Sequence, residues 1–421
     1  MRTFSIFTIG LLSILLPSPT KALDATEDSD PAKMQSAAAE KNDNKEGLPT
    51  SGTSTVDASD KTEASTQDSK PPDESGEKKK KKKKRKKLEL NARIHTVWKM
   101  RHSDTPDNPL TKADEFEKKD IESDFSIRRA RIKISWKPKK WLTAVLKVGG
   151  LQEHEYGLSL LQDAYIHISP SQFVEIRVGQ FKKPFSRLEL RSSGKLKVYN
   201  RGEGNSLFIE DLHYGGRDLG IQLSGRIVPA VKLDYEIGVF NGNGPDISEQ
   251  GNSKDIAARV KMSPLSWMDF GVNGSFKFFN KTENEDKFAW ATSADISFKA
   301  AGFRAYAEGI IGLDHDFLNR DAVVTENAPA AFSIVGIFSY KRAVSSGPFG
   351  IALEPIFKIE ILDPNMKEKE DHVIVYNPGF NSYIGKYLRL MIHGEIRRPT
   401  LNSKVRYPSR EFLAIQFCFD I

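Results

Sequence analysis

Hydrophobic and polar residues alternate along most of the chain from residue 88 to residue 421. In the last segment, one face of an extended chain carries only apolar side chains, namely Leu413, Ile415, Phe417, Phe419 and Ile421. Successive side chains of a β-strand point to opposite faces, so each alternating segment predicts a strand with one apolar and one polar face. The alternation recurs in about sixteen segments, with no helical pattern between them. This predicts a long, wholly antiparallel sheet.

The predicted strands are joined by short turns and long loops in strict alternation. The strands lie near 89–101, 122–136, 140–150, 159–169, 172–181, 217–227, 231–241, 254–263, 267–279, 287–299, 302–313, 331–343, 349–362, 370–377, 385–397 and 411–421. Short turns at one rim and long loops at the other are the expected asymmetry of an outer-membrane barrel. We therefore predict an all-β fold, a sixteen-stranded antiparallel transmembrane β-barrel over residues 88–421.

Aromatic residues at the ends of these strands support a membrane location. Transmembrane barrels carry girdles of aromatic side chains where the lipid meets water. The candidate girdle residues are Trp136, Trp141, Phe173, Trp267 and Tyr383. Core packing is the alternative for each of them singly, but together their placement at strand ends favours a membrane.

The first 87 residues have a different composition from the rest of the chain. Residues 1–22 combine Arg2, a short apolar core and a small-residue cleavage site, which predicts a secretory signal peptide. Residues 23–77 contain 14 acidic and 5 basic residues and almost no large apolar ones, which predicts a disordered periplasmic extension. Ten basic residues, Lys78–Lys87, follow. They predict either contact with cell-wall polymer or anionic lipid, or a solvated linker; the signal peptide argues against nucleic acid.

The overall composition is compatible with a membrane barrel and offers no catalytic grouping. Hydrophobic residues make up 38% of the chain and the mean hydropathy is −0.46, as expected when half of each strand faces a polar lumen. A single cysteine excludes an intrachain disulfide. The eight histidines lack the spacing of metal ligands. We therefore predict a protein that is not an enzyme and needs no cofactor or metal.

The strand near 122–136 carries the most basic face of the predicted barrel. Arg129, Arg131 and Lys133 share one parity and are predicted to point into the lumen, where fixed positive charge attracts anions. Arg128 has the opposite parity, so it lies at the rim or is turned inward by a β-bulge. The alternative is a lumen whose charges are balanced by acidic partners, for which the candidates are Asp163, Glu175, Asp234, Glu236 and Glu395.

The longest connection, residues 182–216, is also strongly basic. Its cations are Lys182, Lys183, Arg187, Arg191, Lys195, Lys197 and Arg201. If the loop folds inward it narrows the pore and adds a positive field. If it stays outside, it is suited to binding phosphate groups at the cell surface. The sequence leaves both arrangements open and favours the inward one.

Several motifs resemble those of the phosphate-selective porin O and P family. They are Arg128–Arg131 (RRAR), Gly179–Ser186 (GQFKKPFS), Asn200–Arg201, Arg217–Ile221 (RDLGI) and Gly238–Gly242 (GVFNG). The resemblance implies a sixteen-stranded homotrimer whose third loop enters the lumen and whose arginines and lysines conduct anions, including phosphate. By position, Arg128 and Arg129 match the family's paired arginines and Arg201 matches the arginine that closes its constriction loop. Lys195 or Lys197 matches a loop lysine, and Lys147 a lumen lysine.

These observations lead to a functional expectation. We predict a passive diffusion channel for small anionic solutes in the bacterial outer membrane. Its predicted partners are membrane lipid, small anions such as phosphate and two further copies of the chain. The predicted selectivity residues are Arg128, Arg129, Arg131, Lys133 and Lys147, and the predicted constriction residues are Arg187, Arg191, Lys195, Lys197 and Arg201. The alternative is a structural barrel that binds cell wall or surface partners through its basic arm and loops.

Overall fold

The computed structural model describes residues 88–106, 116–118, 121–150, 161–242, 244–245, 254–282, 285–315, 328–400 and 407–421. The predicted signal peptide, the acidic extension and Lys78–Lys87 lie outside these residues. Eighteen strands form a single sheet among the described residues. No helix in the described part of the chain is both long and apolar enough to cross a membrane.

Sixteen long strands build the wall, and two short ones are accessory. The strands are β1 (Leu88–Pro106), β2 (Phe116–Lys118), β3 (Glu122–Lys139), β4 (Leu142–Val148), β5 (Leu161–Ile168), β6 (Glu175–Lys182), β7 (Arg217–Val228), β8 (Leu233–Phe240), β9 (Asp255–Leu265), β10 (Met268–Thr282), β11 (Glu285–Ala300), β12 (Phe303–Leu313), β13 (Ala330–Tyr340), β14 (Arg342–Ala343), β15 (Ile351–Asp363), β16 (Val373–Ile384), β17 (Leu388–Pro399) and β18 (Arg410–Asp420). Strand β2 pairs with the end of β1, and β14 adds two residues of pairing to β15.

The first and last wall strands close the sheet into a barrel. Strand β1 pairs antiparallel with β3 on one side and with β18 on the other. At the seam the N–H of Ala92 donates to the carbonyl of Ile421 at 3.1 Å, and the N–H of Ile421 donates back at 2.9 Å. The closed sixteen-stranded antiparallel barrel predicted from the alternation is confirmed.

The predicted strand that differs most from the structure is the one near 370–377, which corresponds to β16. The predicted segment ends just before Pro378, and proline has no N–H to donate to a ladder. In the structure β16 continues to Ile384, and its pairing with β17 is interrupted between Tyr376 and Gly379 without a change of register. Pro378 lies in this interruption, where Asn377 Nδ2 donates to the carbonyl of Gly394 at 3.2 Å. A side chain thus supplies the hydrogen bond that proline cannot make.

The two faces of the wall follow the predicted parity. In β18, Phe417 is exposed on the outer face, whereas Gln416 and Cys418 are buried on the inner one. Of the predicted girdle residues, four are exposed at the short-turn rim, namely Trp136, Trp141, Phe173 and Trp267. Tyr383 is a correction, since its hydroxyl donates to Glu354 inside the barrel at 2.5 Å. An inward carboxylate therefore turns this tyrosine away from lipid.

Residues 183–216, which we call the lumen loop, fold into the barrel. The loop contains α1 (Arg187–Leu190), a 3-10 turn (Ser193–Lys195), α2 (Glu203–Asn205) and a π-helical turn (Ser206–Asp211). Its apolar side chains, including Phe185, Phe208 and Tyr214, pack in one buried cluster with inward residues of β11, β12, β13, β15 and β16. The inward arrangement, favoured by the sequence, is the one observed.

Candidate functional site

A buried ionic cluster fixes the start and end of the lumen loop. Lys183 is fully buried, and its Nζ donates to Asp255 Oδ2 at 2.8 Å and to the carbonyl of His213 near the end of the loop. Asp218, just after the loop, lies 3.7 Å from the same ammonium group, and Lys277 donates to Asp255 at 2.9 Å. Buried charges are tolerated when they are paired and hydrogen-bonded, as these are. The motif residues Lys183 and Asp218 therefore position the loop.

Glu308 on β12 holds the first turn of the loop against the wall. Its carboxylate accepts hydrogen bonds from the N–H groups of Arg187 and Leu188, at 2.8 and 3.1 Å. The guanidinium of Arg187 reaches further and pairs with Asp269 at 2.8 Å and Asp295 at 3.1 Å. Although burial opposes the charge of Arg187, its bonds to these two carboxylates raise its pKa. Arg187 is thus an anchor of the loop.

The middle of the loop is held by three carboxylates of the opposite wall. Glu354 accepts from Lys197, and Glu395 accepts from the side chain of Asn200 at 2.7 Å. Glu360 accepts from two backbone N–H groups, including that of Gly204 at 2.7 Å. The close approach of the loop backbone to Glu360 requires glycine at position 202. There φ is +116°, and an added Cβ would lie 1.9 Å from Glu360 Oε2.

Arg128 ties the loop to β3. The register of β3 against β1 shifts at this position, so a β-bulge turns Arg128 inward, one of the two predicted possibilities. Its Nη1 donates to the carbonyl of Tyr199 at 2.7 Å and to Gln416 Oε1 at 3.0 Å. The guanidinium also lies 3.6 Å from the centre of the Tyr199 ring, within cation–π range. Arg128 is not among the residues that line the main cavity.

The main cavity, of about 1010 Å³, lies between the lumen loop and the inner faces of β3 to β7, with residues of β1 and β18 at one side. Its lining contains nine Lys and Arg residues, namely Arg93, Arg129, Arg131, Lys133, Lys147, Lys182, Lys195, Arg201 and Arg217. Five carboxylate side chains line it too, namely Asp163, Glu189, Glu210, Asp211 and Asp420. The structure thus brings Arg129, Arg131, Lys133 and Lys147 together with Lys195 and Arg201. The other predicted loop cations, Arg187, Arg191 and Lys197, line a second cavity across the loop.

Arg129 and Arg131 lie in the cavity wall without a carboxylate partner among the described residues. They are 4% and 9% exposed, and the Nε atom of each lacks a hydrogen-bond acceptor. Arg131 Nη1 donates to Ser193 Oγ of the loop at 2.6 Å. A partly desolvated guanidinium that has no counter-ion favours the approach of an anion.

Several other cations of the cavity are neutralised. Asp163, one of the predicted acidic partners, pairs with Arg217 at 2.6 Å and Lys147 at 3.4 Å. Glu189 of the loop pairs with Arg201 at 3.0 Å and Lys182 at 2.5 Å. Burial tends to raise the pKa of Glu189, but the two cations lower it to about 2. The lumen therefore combines balanced charge with a basic surplus along β3.

Sequence reasoning did not identify the acidic anchors Glu308, Glu354 and Glu360, or Glu189 in the loop. The alternation of polar and apolar residues could have indicated that the three wall residues point inward, since each lies on the polar face of its strand. Glu189 lies in a loop, where no periodicity indicates direction. In the described residues, no group of His, Cys, Asp and Glu is arranged to hold a metal ion.

Known proteins share both the sequence motifs and the fold. Residues 108–311 match the family model described as phosphate-selective porin O and P. No curated protein matches the sequence significantly. Similar solved structures include the anion-selective porin from Comamonas acidovorans (9% identity, TM-score 0.54, 79% of this chain and 99% of that one). They also include Salmonella typhi OmpF in complex with daunomycin (12% identity, TM-score 0.56, 79% and 97%) and the DcaP channel of Acinetobacter baumannii (10% identity, TM-score 0.53, 79% and 97%).

The structural likeness shows a shared fold, and the match to the family model covers residues 108–311. The matched residues include the paired arginines of β3, the loop-base motif around Lys183 and the whole lumen loop. These are the parts that build the cavity and hold the loop inside the barrel. Residues 108–311 therefore match the phosphate-selective porin O and P family of outer-membrane porins, as the sequence motifs predicted.

Proposed function

We propose that small anions diffuse passively through the main cavity, between the lumen loop and β3 to β7. The family and the fold are those of a channel rather than of an enzyme. The apolar side chains of the loop pack against β11, β12, β13, β15 and β16, and this supports a route past the loop through the cavity beside β3 to β7. We infer that phosphate is among the permeating solutes, because arginine forks suit its oxygens. The anion selectivity of the similar Comamonas porin is consistent with this route.

The observation that carries the proposal is the pair of uncompensated arginines on β3. Arg129 and Arg131 face the loop, and neither has a carboxylate partner in the described structure. An anion entering the cavity exchanges water for guanidinium N–H groups, while a cation meets repulsion from both residues. The nearby carboxylates Asp163 and Glu189 limit how tightly an anion is held. Weak binding of this kind permits release as well as entry.

Reversal potentials measured across a salt gradient in planar bilayers test this role. Wild-type protein should prefer chloride to potassium, and Arg129→Ala with Arg131→Ala should lower the permeability ratio about ten-fold, or about 1.4 kcal/mol. Lys140→Ala is the matched control, because it removes an exposed cation of the β3–β4 turn that does not line the cavity. A cation-selective wild type, or a double variant with the wild-type ratio, would contradict the proposal. Absence of any conductance would refute the channel itself.

A further inference from the structure

A second cavity, of about 540 Å³, lies across the lumen loop from the first. It is enclosed by the loop and by residues of β10, β11, β12, β13, β16 and β17, close to the short-turn rim. Lys195 lines both cavities, so they meet at this residue of the loop. The proposed conduction route through the first cavity does not account for the second.

The lining of the second cavity has a large excess of positive charge. Its Lys and Arg residues are Arg187, Arg191, Lys195, Lys197, Lys299, Arg304, Lys341 and Arg389. Asp269 is the one carboxylate among the described lining residues, and it is held by Arg187 at 2.8 Å. In the first cavity, by comparison, five carboxylates offset nine cations.

Some of these cations hold the loop against the wall through polar contacts, and others have no such contact in the described structure. Lys197 pairs with Glu354, and Arg389 donates to the carbonyls of Leu196 and Gly194, at 2.6 and 3.0 Å. Four others have no side-chain hydrogen bond or ion pair within the described part of the chain, namely Arg191, Lys195, Lys299 and Arg304. Burial lowers the pKa of Arg191, and the neighbouring charges of Arg187 and Arg304 add to the effect. Arg191 and Arg304 both line this cavity, so an anion bound there would offset the repulsion between like charges.

The second cavity also has an apolar side that includes aromatic residues, which the described lining of the first lacks. Leu196, Val198 and Ile337 line it and belong to one packed cluster between the loop and the wall. Two tyrosines line it as well, and their hydroxyls are already bonded to Glu308 and Glu354. The Nζ of Lys341 lies 3.5 Å from the centre of the Tyr383 ring. No Phe, Tyr or Trp occurs among the described residues that line the first cavity.

We propose that the second cavity is a binding site for organic carboxylates that carry an aromatic ring. The carboxylate would lie between Arg191 and Arg304, and the ring would lie against the apolar side of the cavity. This inference deepens the proposed function and rests on it for access through the pore. An aromatic acid gains both from charge pairing and from burial of its ring, whereas inorganic phosphate gains only from the charge. The two cavities therefore differ in the chemistry of the anions that they favour.

Calorimetric titration of the purified full chain in detergent tests the site directly. The probes are benzoate and inorganic phosphate, each titrated at the same ionic strength. We expect Arg304→Ala to weaken benzoate binding about ten-fold, and to leave the affinity for phosphate and the reversal potential near the wild-type values. Lys140→Ala, a cation of the same rim outside the cavity, should change neither affinity. Heat-modifiable mobility on gels verifies that each variant is folded.

Two results would overturn the inference. One is benzoate binding that is equally strong in wild type and Arg304→Ala; the other is phosphate binding that weakens as much as benzoate binding. If Arg304→Ala does not fold, Arg304→Gln and Arg191→Gln remove the same charges with less loss of volume and must give the same ten-fold effect. The proposed function would fail by a different result, namely a wild-type channel whose reversal potential shows no preference for anions. A benzoate site could still be measured in such a protein by calorimetry.

Discussion

Three arginines of β3 are close in sequence and differ in their surroundings. Arg128 is bonded to Tyr199 and Gln416, whereas Arg129 and Arg131 face the main cavity. Parity alone predicted the direction of Arg129 and Arg131. It could not decide the direction of Arg128, because a β-bulge depends on the partner strand and leaves no mark in the alternation. At this scale, side-chain direction was predictable and side-chain partners were not.

Glu189 limits the anion selectivity of the main cavity. It is ionised throughout the usual pH range and neutralises Lys182 and Arg201. Glu189→Gln keeps the shape of the side chain and releases both cations, so the preference for anions should increase, by roughly two- to five-fold in permeability ratio. Reversal potentials give the measurement. Glu210→Gln is the matched control, because Glu210 lines the same cavity but is exposed, and it should have a smaller effect. An unchanged ratio in Glu189→Gln would show that its charge does not reach the permeating ion.

His213 is expected to make the barrel sensitive to acid. Burial lowers its pKa to about 4, and the charges of Lys277 and Lys183 contribute. The unfolded chain therefore binds a proton more readily than the folded one, so stability is present above pH 6.5 and is lost as the pH falls towards 4. The loss from this group is roughly 3 kcal/mol, since one pKa unit corresponds to about 1.36 kcal/mol.

The test for His213 is urea unfolding at neutral and acidic pH. His213 has a φ of 53°, a left-handed conformation that asparagine tolerates, so His213→Asn is a suitable replacement. The variant should lose less stability than the wild type between pH 6.5 and pH 4. Equal losses in the two proteins would assign the acid sensitivity to other groups.

At the scale of elements, the lumen loop depends on ionic anchors at its base and along its length. The sequence predicted the basic loop and favoured its inward position, because the length and charge of residues 182–216 suit a constriction. It did not indicate the anchors, since those carboxylates come from β9, β12 and β15, far away along the chain. Which wall carboxylate meets which loop residue depends on how the strands are aligned with one another in the closed barrel.

Lys183→Met tests the base of the loop. The change leaves Asp218 and Asp255 with less compensation in a buried site, and breaking such a pair costs roughly 3 to 5 kcal/mol. We expect a more mobile loop, seen as larger and noisier single-channel currents. Lys133→Met is the control, because Lys133 lines the cavity and has no hydrogen bond or ion pair to the loop in the described structure, so the change should alter selectivity without adding noise. Single-channel currents of Lys183→Met with wild-type noise would contradict the anchoring role. Lys183→Arg keeps the positive charge and should give wild-type currents.

At the scale of the whole molecule, the strand count and the closed topology were predictable from alternation and connection lengths. All sixteen predicted strands have a counterpart in the wall. Oligomeric state is different, because nothing in a single strand pattern specifies which lipid-facing surface meets another copy. The homotrimer remains a prediction from the family resemblance. Native mass spectrometry of the detergent-solubilised protein should give a mass three times that of the chain, and a monomeric mass at all concentrations would contradict it.

The seam between β1 and β18 has a consequence for how the barrel assembles. Arg93 and Asp420, which bond across it, are 327 positions apart in sequence. Hairpins between neighbouring strands close short loops and form quickly, whereas contacts at such a separation form slowly. Until the seam forms, β1 and β18 are open edges that can pair with other chains. The assembling protein therefore passes through an aggregation-prone stage, and its yield should depend on how well those two edges are shielded during insertion.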